Sequence, residues 1–212
     1  MMGLTSRERV TRTLTFAGVD RPARDIWLLP AAFFGREQEL RDLLAQYPSD
    51  FGPTGFQDPA DESPLYQPGE WVDQWGSGWI NIQAGMIGEV KHPAVDDWGK
   101  LEHWQPPYHL LGKGFEQVNR TCAQSEKFTL LGCPRPWERY QFLRGSENAY
   151  RDLAWGVPEA EKLLAMIHDY YLRHLEYIVK TDVDGISFMD DWGSERALLI
   201  TPKKWAHNFT TL

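Results

Sequence analysis

The pattern of apolar and polar positions predicts helices that alternate with short apolar strands along most of the chain. Near the start, Thr5 and Glu8 stand three residues apart, in the order of a capping box. Val10 and Leu14 follow at helical spacing, so a first helix is predicted to reach about Phe16. Further helices are predicted at residues 36–46, 111–122, 137–143, 147–155, 158–181 and 201–209.

Short apolar runs bounded by turn residues predict strands at residues 25–29, 128–132 and 185–189. Strands that alternate with helices indicate a parallel sheet with crossover helices, of about four strands in this chain. The predicted fold class is therefore α/β, a partial (β/α)8 TIM-type barrel. Because a closed barrel has eight strands and about 250 residues, we expect this chain to be truncated after roughly half of one.

Residues 52–107 interrupt the alternation and are predicted to form an excursion from the barrel. Residues 52–69 are rich in Pro, Gly and Asp and have no sustained period, which is typical of a long loop. Residues 79–82 and 88–91 flank a turn that contains glycine, so they predict an extra β-hairpin. The whole chain, residues 1–212, is predicted to be a single domain.

Composition and charge exclude several kinds of partner. The net charge is -8 and no Lys/Arg-rich run is present, so nucleic acid is not expected to bind. No window approaches the roughly 18 apolar residues of a membrane span, so no membrane partner is expected. The chain has two cysteines and a polar, basic start, which predicts a cytoplasmic protein without disulfides. No His or Cys pair has metal-ligand spacing, so no metal site is expected in this chain.

Polar side chains follow two of the predicted strands, namely Arg135, Glu138 and Arg139 after one and Asp190 and Asp191 after the other. Because the carboxyl ends of parallel strands meet at one edge, these side chains are predicted to share a pocket, the arginines and Glu138 as ligand-binding groups. Adjacent aspartates project in opposite senses, so one is predicted to be catalytic and the other structural. Helix capping by either aspartate, or pairing of Arg139 with a neighbouring glutamate, is the alternative.

The ten tryptophans are the unusual feature of the composition, and several stand beside acids. An indole that desolvates a carboxyl group raises its pKa toward neutral, as acid–base catalysis requires. Asp73, between Trp71 and Trp75, is therefore a third candidate catalytic residue. The indoles predicted to line a ligand site are Trp27, Trp75, Trp137 and Trp192. For any one of them, packing in the core is the alternative.

A set of motifs extends over nearly the whole chain, at residues 4–10, 20–22, 72–76, 137–145, 184–193 and 201–205. The most specific are the W-E-R sequence at Trp137, the D-D-W-G sequence at Asp190 and the T-P-K-K-W sequence at Thr201. Together they resemble the uroporphyrinogen decarboxylase superfamily, which also contains corrinoid-dependent methyltransferases. The D-x-W-G sequence at Asp73 is similar to the methyltransferase-like branch.

This resemblance implies the amino-terminal part of a (β/α)8 barrel that acts with or on a tetrapyrrole, most plausibly in corrinoid-linked methyl transfer to a thiol. It implies a corrinoid and a zinc ion as cofactors of the complete protein, with the zinc ligands beyond Leu212, and a corrinoid protein as a partner. The acids and indoles of this chain would then line the tetrapyrrole face. We expect the complete protein to be an enzyme and these 212 residues alone to be inactive.

Three alternatives stay open from the sequence. Uroporphyrinogen decarboxylation in haem biosynthesis is one, although residues 28–36 hold only Arg36 where decarboxylases of the superfamily have an arginine-rich R-Q-A-G-R-Y segment. Glycoside hydrolysis is another, because indoles beside paired carboxylates also suit sugar rings. The third is an inactive binding fragment, whose uncovered sheet edges would favour a homodimer.

Overall fold

The computed structural model describes residues 3–56, 64–132 and 134–209. These form a mixed α/β fold with one parallel and one antiparallel sheet, each of three strands. The helices are α1 Ser6–Leu14, α2 Glu37–Gln46, α3 Val118–Gln124, α4 Pro136–Arg144, α5 Ser146–Trp155, α6 Pro158–Ile178 and α7 Pro202–Phe209. The strands are β1 Phe51–Gly52, β2 Gly69–Val72, β3 Gly78–Asn81, β4 Glu89–His92, β5 Phe128–Gly132 and β6 Gly185–Ser187.

The parallel sheet has the order β1-β5-β6, with β5 in the centre. Its register pairs Phe51 with Phe128 on one side of β5 and Gly132 with Ser187 on the other. Strands β5 and β6 therefore end side by side, and the segments that follow them leave the sheet at the same edge. This register places the two polar segments of the sequence next to each other.

Hydrogen-bonded carboxylates, one of them buried, hold the opposite edge of this sheet. Asp50, just before β1, accepts hydrogen bonds from Arg9 Nη1 at 2.6 Å and from Arg21 Nη1 at 2.6 Å. Asp184, just before β6, accepts hydrogen bonds from the backbone N–H and the hydroxyl of Thr129, at 2.8 and 2.9 Å. These contacts tie α1 and the three strands together at their amino ends.

The antiparallel sheet has the order β2-β3-β4 and lies within the predicted excursion. The predicted hairpin is confirmed as β3 and β4, and β2 is a further strand that the sequence pattern did not reveal. The sheet region contacts α4, because Ser77 Oγ donates to the carbonyl of Phe142 at 3.0 Å and the Val95 N–H donates to the carbonyl of Leu143 at 2.8 Å.

Two clusters of buried apolar side chains form the core. The larger joins α4, α5 and α6 to the excursion, through residues such as Trp75, Trp137 and Leu163. The smaller joins α3, β5 and the end of α6, through Cys122 and Ile178 among others. Helix α6 contributes to both clusters, as its apolar stripe predicts. No helix in the described part of the chain is long and apolar enough to cross a membrane.

The strand predicted at residues 25–29 is not formed. Ile26 and Trp27 are exposed, and the Ile26 N–H donates to the side chain of Asp25 rather than to a neighbouring strand. The segment approaches the sheet at one point, where the Asp50 N–H donates to the carbonyl of Arg24 at 2.9 Å. An apolar run forms a strand only where a neighbouring strand pairs with it, and the sequence pattern does not show whether such a partner is present. The parallel sheet of the described residues accordingly has three strands, where about four were expected.

The helix predicted at residues 111–122 was also wrong in its first half. Gly112 and Gly114 adopt φ angles of 80° and 86°, in the left-handed region that a right-handed helix excludes. The helix α3 consequently starts at Val118, after a 3-10 turn at Tyr108–Leu110. Cys122, within α3, is buried in the core. Cys133, which follows β5 in the sequence, lies outside the described residues.

Candidate functional site

A cavity of about 530 Å³ opens where β5 and β6 end. Arg135 and Glu138, which follow β5, line it together with Asp190 and Asp191, which follow β6. The expected meeting of these two segments at the carboxyl edge of the parallel sheet is therefore observed. This volume lies within the range of about 300–1,000 Å³ that is typical of small-molecule sites.

The remaining walls of this strand-end cavity are aromatic and apolar: Trp27, Leu65, Tyr66, Ile87 and Met189. A loop after β3 is hydrogen-bonded to the segment of one lining residue, Tyr66, and to Ala31 outside the lining. The Gly85 N–H donates to the carbonyl of Tyr66 at 2.8 Å, and the Gly85 carbonyl accepts from the Ala31 N–H at 3.1 Å. Gly85 has a φ angle of 76°, in the left-handed region that favours glycine, so a glycine at this position allows the loop to make both hydrogen bonds.

Asp190 is held at the amino-terminal end of α4. Its two carboxylate oxygens accept hydrogen bonds from the backbone N–H groups of Trp137 and Glu138, both at 2.9 Å. The capping alternative thus holds in part, but the capped helix precedes Asp190 in the chain instead of following it. The same carboxyl group lines the cavity, so capping and ligand contact are compatible.

The environment of Asp190 raises its pKa to about 6. Burial is the main cause, and the nearby charge of Glu138 adds to it. The two backbone N–H groups and the charge of Arg135 act in the opposite direction but do not cancel the burial. A carboxyl group with this pKa can take up or release a proton near neutral pH, which is a property of acid–base catalysts.

The other charged groups of the cavity are more accessible. Arg135 Nη1 lies 3.5 Å from Glu138 Oε2, one helical turn along the same segment. Asp191 is exposed, and it accepts a hydrogen bond from the Gly193 N–H at 3.3 Å. Glu138 and Arg135 form a pair, and Asp191 lines the cavity at its exposed side.

Asp73 is not among the described residues that line this cavity. It is buried in the turn between β2 and β3, where it accepts from the Trp75 and Ser77 N–H groups at 3.0 and 2.8 Å. It also accepts from Trp79 Nε1 at 2.9 Å, and Arg139 Nη1 lies 3.4 Å away. These contacts indicate a structural role for Asp73, which holds the turn between β2 and β3 against α4.

Arg139 and two of the predicted indoles, Trp75 and Trp137, also lie in the packed interior, and Trp192 is half-buried against them. The guanidinium of Arg139 stacks over the ring of Trp75 at 4.4 Å, and both side chains are buried. Trp137 is fully buried and stacks on Trp192 with ring centroids 5.7 Å apart. Of the predicted indoles, Trp27 is the one among the described residues that lines the cavity.

Sequence reasoning missed four lining residues, Leu65, Tyr66, Ile87 and Met189. Met189 could have been found, because it is the last residue of a predicted strand and directly precedes Asp190. The other three belong to the excursion, and no local pattern shows that its loops fold back over the strand ends. Their position depends on the contacts of Gly85 described above.

Within the described residues, no three His, Cys, Asp or Glu side chains come together in an arrangement that could hold a metal ion. These residues therefore do not fit a zinc ion. The cavity also suits a compact small molecule better than a complete corrinoid, whose macrocycle and side chains are much larger than a drug-sized ligand.

No known family profile matches the sequence, and no curated protein matches it. The fold is similar to that of a solved methyltransferase from Methanosarcina mazei, with a TM-score of 0.58 and 14% sequence identity. The similarity covers 97% of this chain and 64% of that chain, so this chain spans less than two thirds of that structure. The fold is thus methyltransferase-like, and the superfamily assignment stays a prediction.

Proposed function

We propose that this chain is the amino-terminal part of a (β/α)8 barrel enzyme that transfers methyl groups and binds its small-molecule ligand in the strand-end cavity. The observation that carries the proposal is the convergence of Arg135, Glu138 and Asp190 on one cavity at the carboxyl ends of parallel strands. Active sites of such barrels lie at this edge. The fold similarity to a methyltransferase from Methanosarcina mazei supports this class of reaction.

In the proposed reaction, Asp190 handles the proton. With a pKa of about 6, its carboxyl group is mostly ionised at pH 7 and can accept the proton of a bound thiol. Loss of that proton leaves a thiolate, the form of sulfur that acts as a nucleophile. The apolar walls formed by Leu65 and Ile87 would limit the access of water to this step.

The finer proposal is corrinoid-linked methyl transfer to a thiol, with the corrinoid carried by a partner protein. A bound corrinoid would supply the methyl group from its methyl–cobalt bond. Neither a complete corrinoid nor a zinc ion fits the described residues, so Asp190 is the group of this chain that is proposed to act in the reaction. Decarboxylation has less support, because Arg135 is the one basic side chain among the described lining residues.

The test is methyl transfer by the full-length protein that contains this chain. We expect it to demethylate methylcobalamin in the presence of a thiol, followed by absorbance, with formation of the methyl thioether. Asp190→Asn should reduce the rate about 10²-fold or more, the size of a lost acid–base group. Asp182→Asn, which removes an exposed carboxylate before β6, serves as the matched control and should leave the rate unchanged. Equal rates for the two variants would remove Asp190 from the mechanism.

Glycoside hydrolysis is the second candidate, and the raised pKa of Asp190 beside the carboxylate of Glu138 favours it. In that reaction Asp190 would protonate the leaving oxygen and a second carboxylate would assist. Release of a chromophore from nitrophenyl glycosides, lost in both Asp190→Asn and Glu138→Gln, would support it. Methyl transfer without glycosidase activity would exclude it.

A further inference from the structure

The described lining of the strand-end cavity carries more negative than positive charge. Three carboxylates, Glu138, Asp190 and Asp191, face it with one guanidinium, Arg135. Glu138 lies 3.5 Å from Arg135 and is largely balanced by it. The hydrogen bonds that the described residues donate to Asp190 and Asp191 at 2.9–3.3 Å come from the backbone N–H groups of Trp137, Glu138 and Gly193, which carry no net charge. A cationic ligand would therefore complement this cavity better than an anionic one.

The cavity also contains side chains that attract organic cations. Trp27 is 69% exposed although it is a large indole, and Tyr66 is a second aromatic ring in the same wall. The faces of such rings attract ammonium groups, most strongly when the cation is methylated and poorly hydrated. Met189, 52% exposed, adds a polarisable thioether. Carboxylates beside aromatic faces form a recurrent arrangement for this class of ligand.

We propose that the ligand of the strand-end cavity is a small methylated organic cation, a quaternary ammonium or sulfonium compound, bound between the carboxylates and the indole of Trp27. The inference rests on the proposed function, because the bound cation would be the methyl donor. The bond between the onium atom and a methyl carbon breaks, and the onium atom keeps the electron pair and leaves as a neutral amine or thioether. In direct transfer, the alternative to the corrinoid-linked route, the thiolate acceptor supplies the electron pair for the new sulfur–carbon bond, so a cation and an anion give two neutral products.

Binding is tested by calorimetric titration of the full chain with choline and with 3,3-dimethylbutan-1-ol, a neutral compound of the same shape. We expect choline to bind about tenfold more tightly, because the charge is the main difference between the two. The trimethylsulfonium ion, titrated in parallel, distinguishes ammonium from sulfonium ligands. Equal affinities for choline and the alcohol, or binding of neither cation, would overturn the inference.

Two variants locate the site. Trp27→Phe should weaken cation binding several-fold and remove most of the fluorescence change on titration, because indole is the strongest partner for a cation. The matched control is Trp155→Phe, which changes a similarly exposed indole on α5 and should leave binding unchanged. Equal effects of the two variants would place the cation elsewhere.

Binding and turnover separate this inference from the proposed function. A chain that binds choline or trimethylsulfonium but transfers no methyl group to a thiol would keep the ligand class and exclude the reaction. A chain that demethylates methylcobalamin but binds neither cation would keep the reaction and exclude the ligand class.

Discussion

The two aspartates at opposite ends of the parallel sheet show how environment decides the behaviour of one residue type. Asp50 is fully buried before β1, yet its pKa is held below the ordinary value. Burial acts to raise that pKa, but hydrogen bonds from Arg21, the Arg24 N–H, Ser6 and Arg9 outweigh it. Asp190 lies after β6, where the backbone N–H groups of Trp137 and Glu138 and the charge of Arg135 do not offset burial, so the pKa rises.

For Asp190 this predicts a specific dependence of stability on pH. Its pKa is about 6 in the folded state and about 4 in an unfolded chain. Between these values the folded state binds more protons, so the contribution of Asp190 to the free energy of unfolding falls as pH rises from 4 to 6. Urea denaturation of wild type and Asp190→Asn at pH 4.5 and 7.5 measures this effect.

Wild type should lose stability relative to Asp190→Asn between pH 4.5 and pH 7.5, because the asparagine of the variant does not titrate. Arg135, Glu138 and Asp191 also face this group and are unchanged in the variant, so the comparison isolates Asp190. The exposed Asp182→Asn change should show no such shift. A difference that is independent of pH would mean that Asp190 titrates as an ordinary carboxyl group.

Asp50→Asn is expected to destabilise the protein by about 3 kcal/mol, because it leaves Arg9 and Arg21 without their buried counter-charge. Chemical denaturation at pH 7 gives this value. Asp96→Asn is the control, since it breaks an exposed pair with Lys100 and should cost less than about 1 kcal/mol.

Because the pKa of Asp50 is lowered in the folded state, the contribution of Asp50 to the free energy of unfolding is present above about pH 4 and is lost as the pH falls further. Similar losses for the two variants would contradict a special role for Asp50.

At the scale of elements, β5 and α6 could be predicted from their local patterns and β1 could not. The bounds predicted for β5 coincide with the observed ones, because five consecutive residues of its sequence suit a buried strand. Helix α6 was predicted from its 3.6-residue stripe and observed as Pro158–Ile178. Strand β1 has two residues, one a glycine, and forms through pairing with β5. No local pattern can report a pairing partner about 75 residues away.

The same reasoning explains which part of the candidate site could be predicted. Arg135, Glu138, Asp190 and Asp191 were grouped correctly because all follow parallel strands, and the topology brings those ends together. Asp73 and Arg139 have the same chemistry in the sequence, but the fold places them in the interior with each other. Burial is a property of the whole fold, and a motif does not reveal it.

The loop containing Gly85 is expected to be sensitive to a single added methyl group. A Cβ atom there would lie 2.6 Å from the backbone nitrogen of Ala31, in addition to the strain of φ at 76°. Gly85→Ala should therefore separate this loop from residues 30–33, weaken ligand binding in the cavity and lower stability by more than about 1–2 kcal/mol, the cost of the backbone conformation alone.

The control for this change is Gly156→Ala, which has a similar φ of 69° but nothing within 4 Å of the added Cβ. It isolates the backbone cost from the steric clash. Thermal denaturation and choline titration of both variants make the comparison. Equal losses of stability, with binding retained in Gly85→Ala, would show that the loop does not position the walls of the cavity.

On the scale of the whole molecule, the parallel sheet separates stability from the candidate chemistry. Its amino edge is closed by the hydrogen-bond networks of Asp184 and of the buried Asp50. At the edge where the strands end lies the strand-end cavity, which contains Asp190, and burial there disfavours the ionised form of Asp190. This division is the one expected for parallel barrels, where loops after the strands carry function. A site of this kind needs a rigid support, which the two apolar clusters and the shared helix α6 provide.

Because α6 belongs to both clusters, the described fold should unfold as one cooperative unit. Leu163 lies in the larger cluster and Ile178 in the smaller one, and both are fully buried. Leu163→Ala and Ile178→Ala should each cost about 2–5 kcal/mol and move the midpoint of the same transition. Leu172→Ala, on the same helix but 57% exposed, should cost about 0.5 kcal/mol or less. Circular dichroism and tryptophan fluorescence should report coincident curves for every variant. An unfolding curve with two phases, one shifted by Ile178→Ala and the other by Leu163→Ala, would show that the two clusters unfold separately. In that case α6 would not couple the strand-end cavity to the amino edge of the sheet.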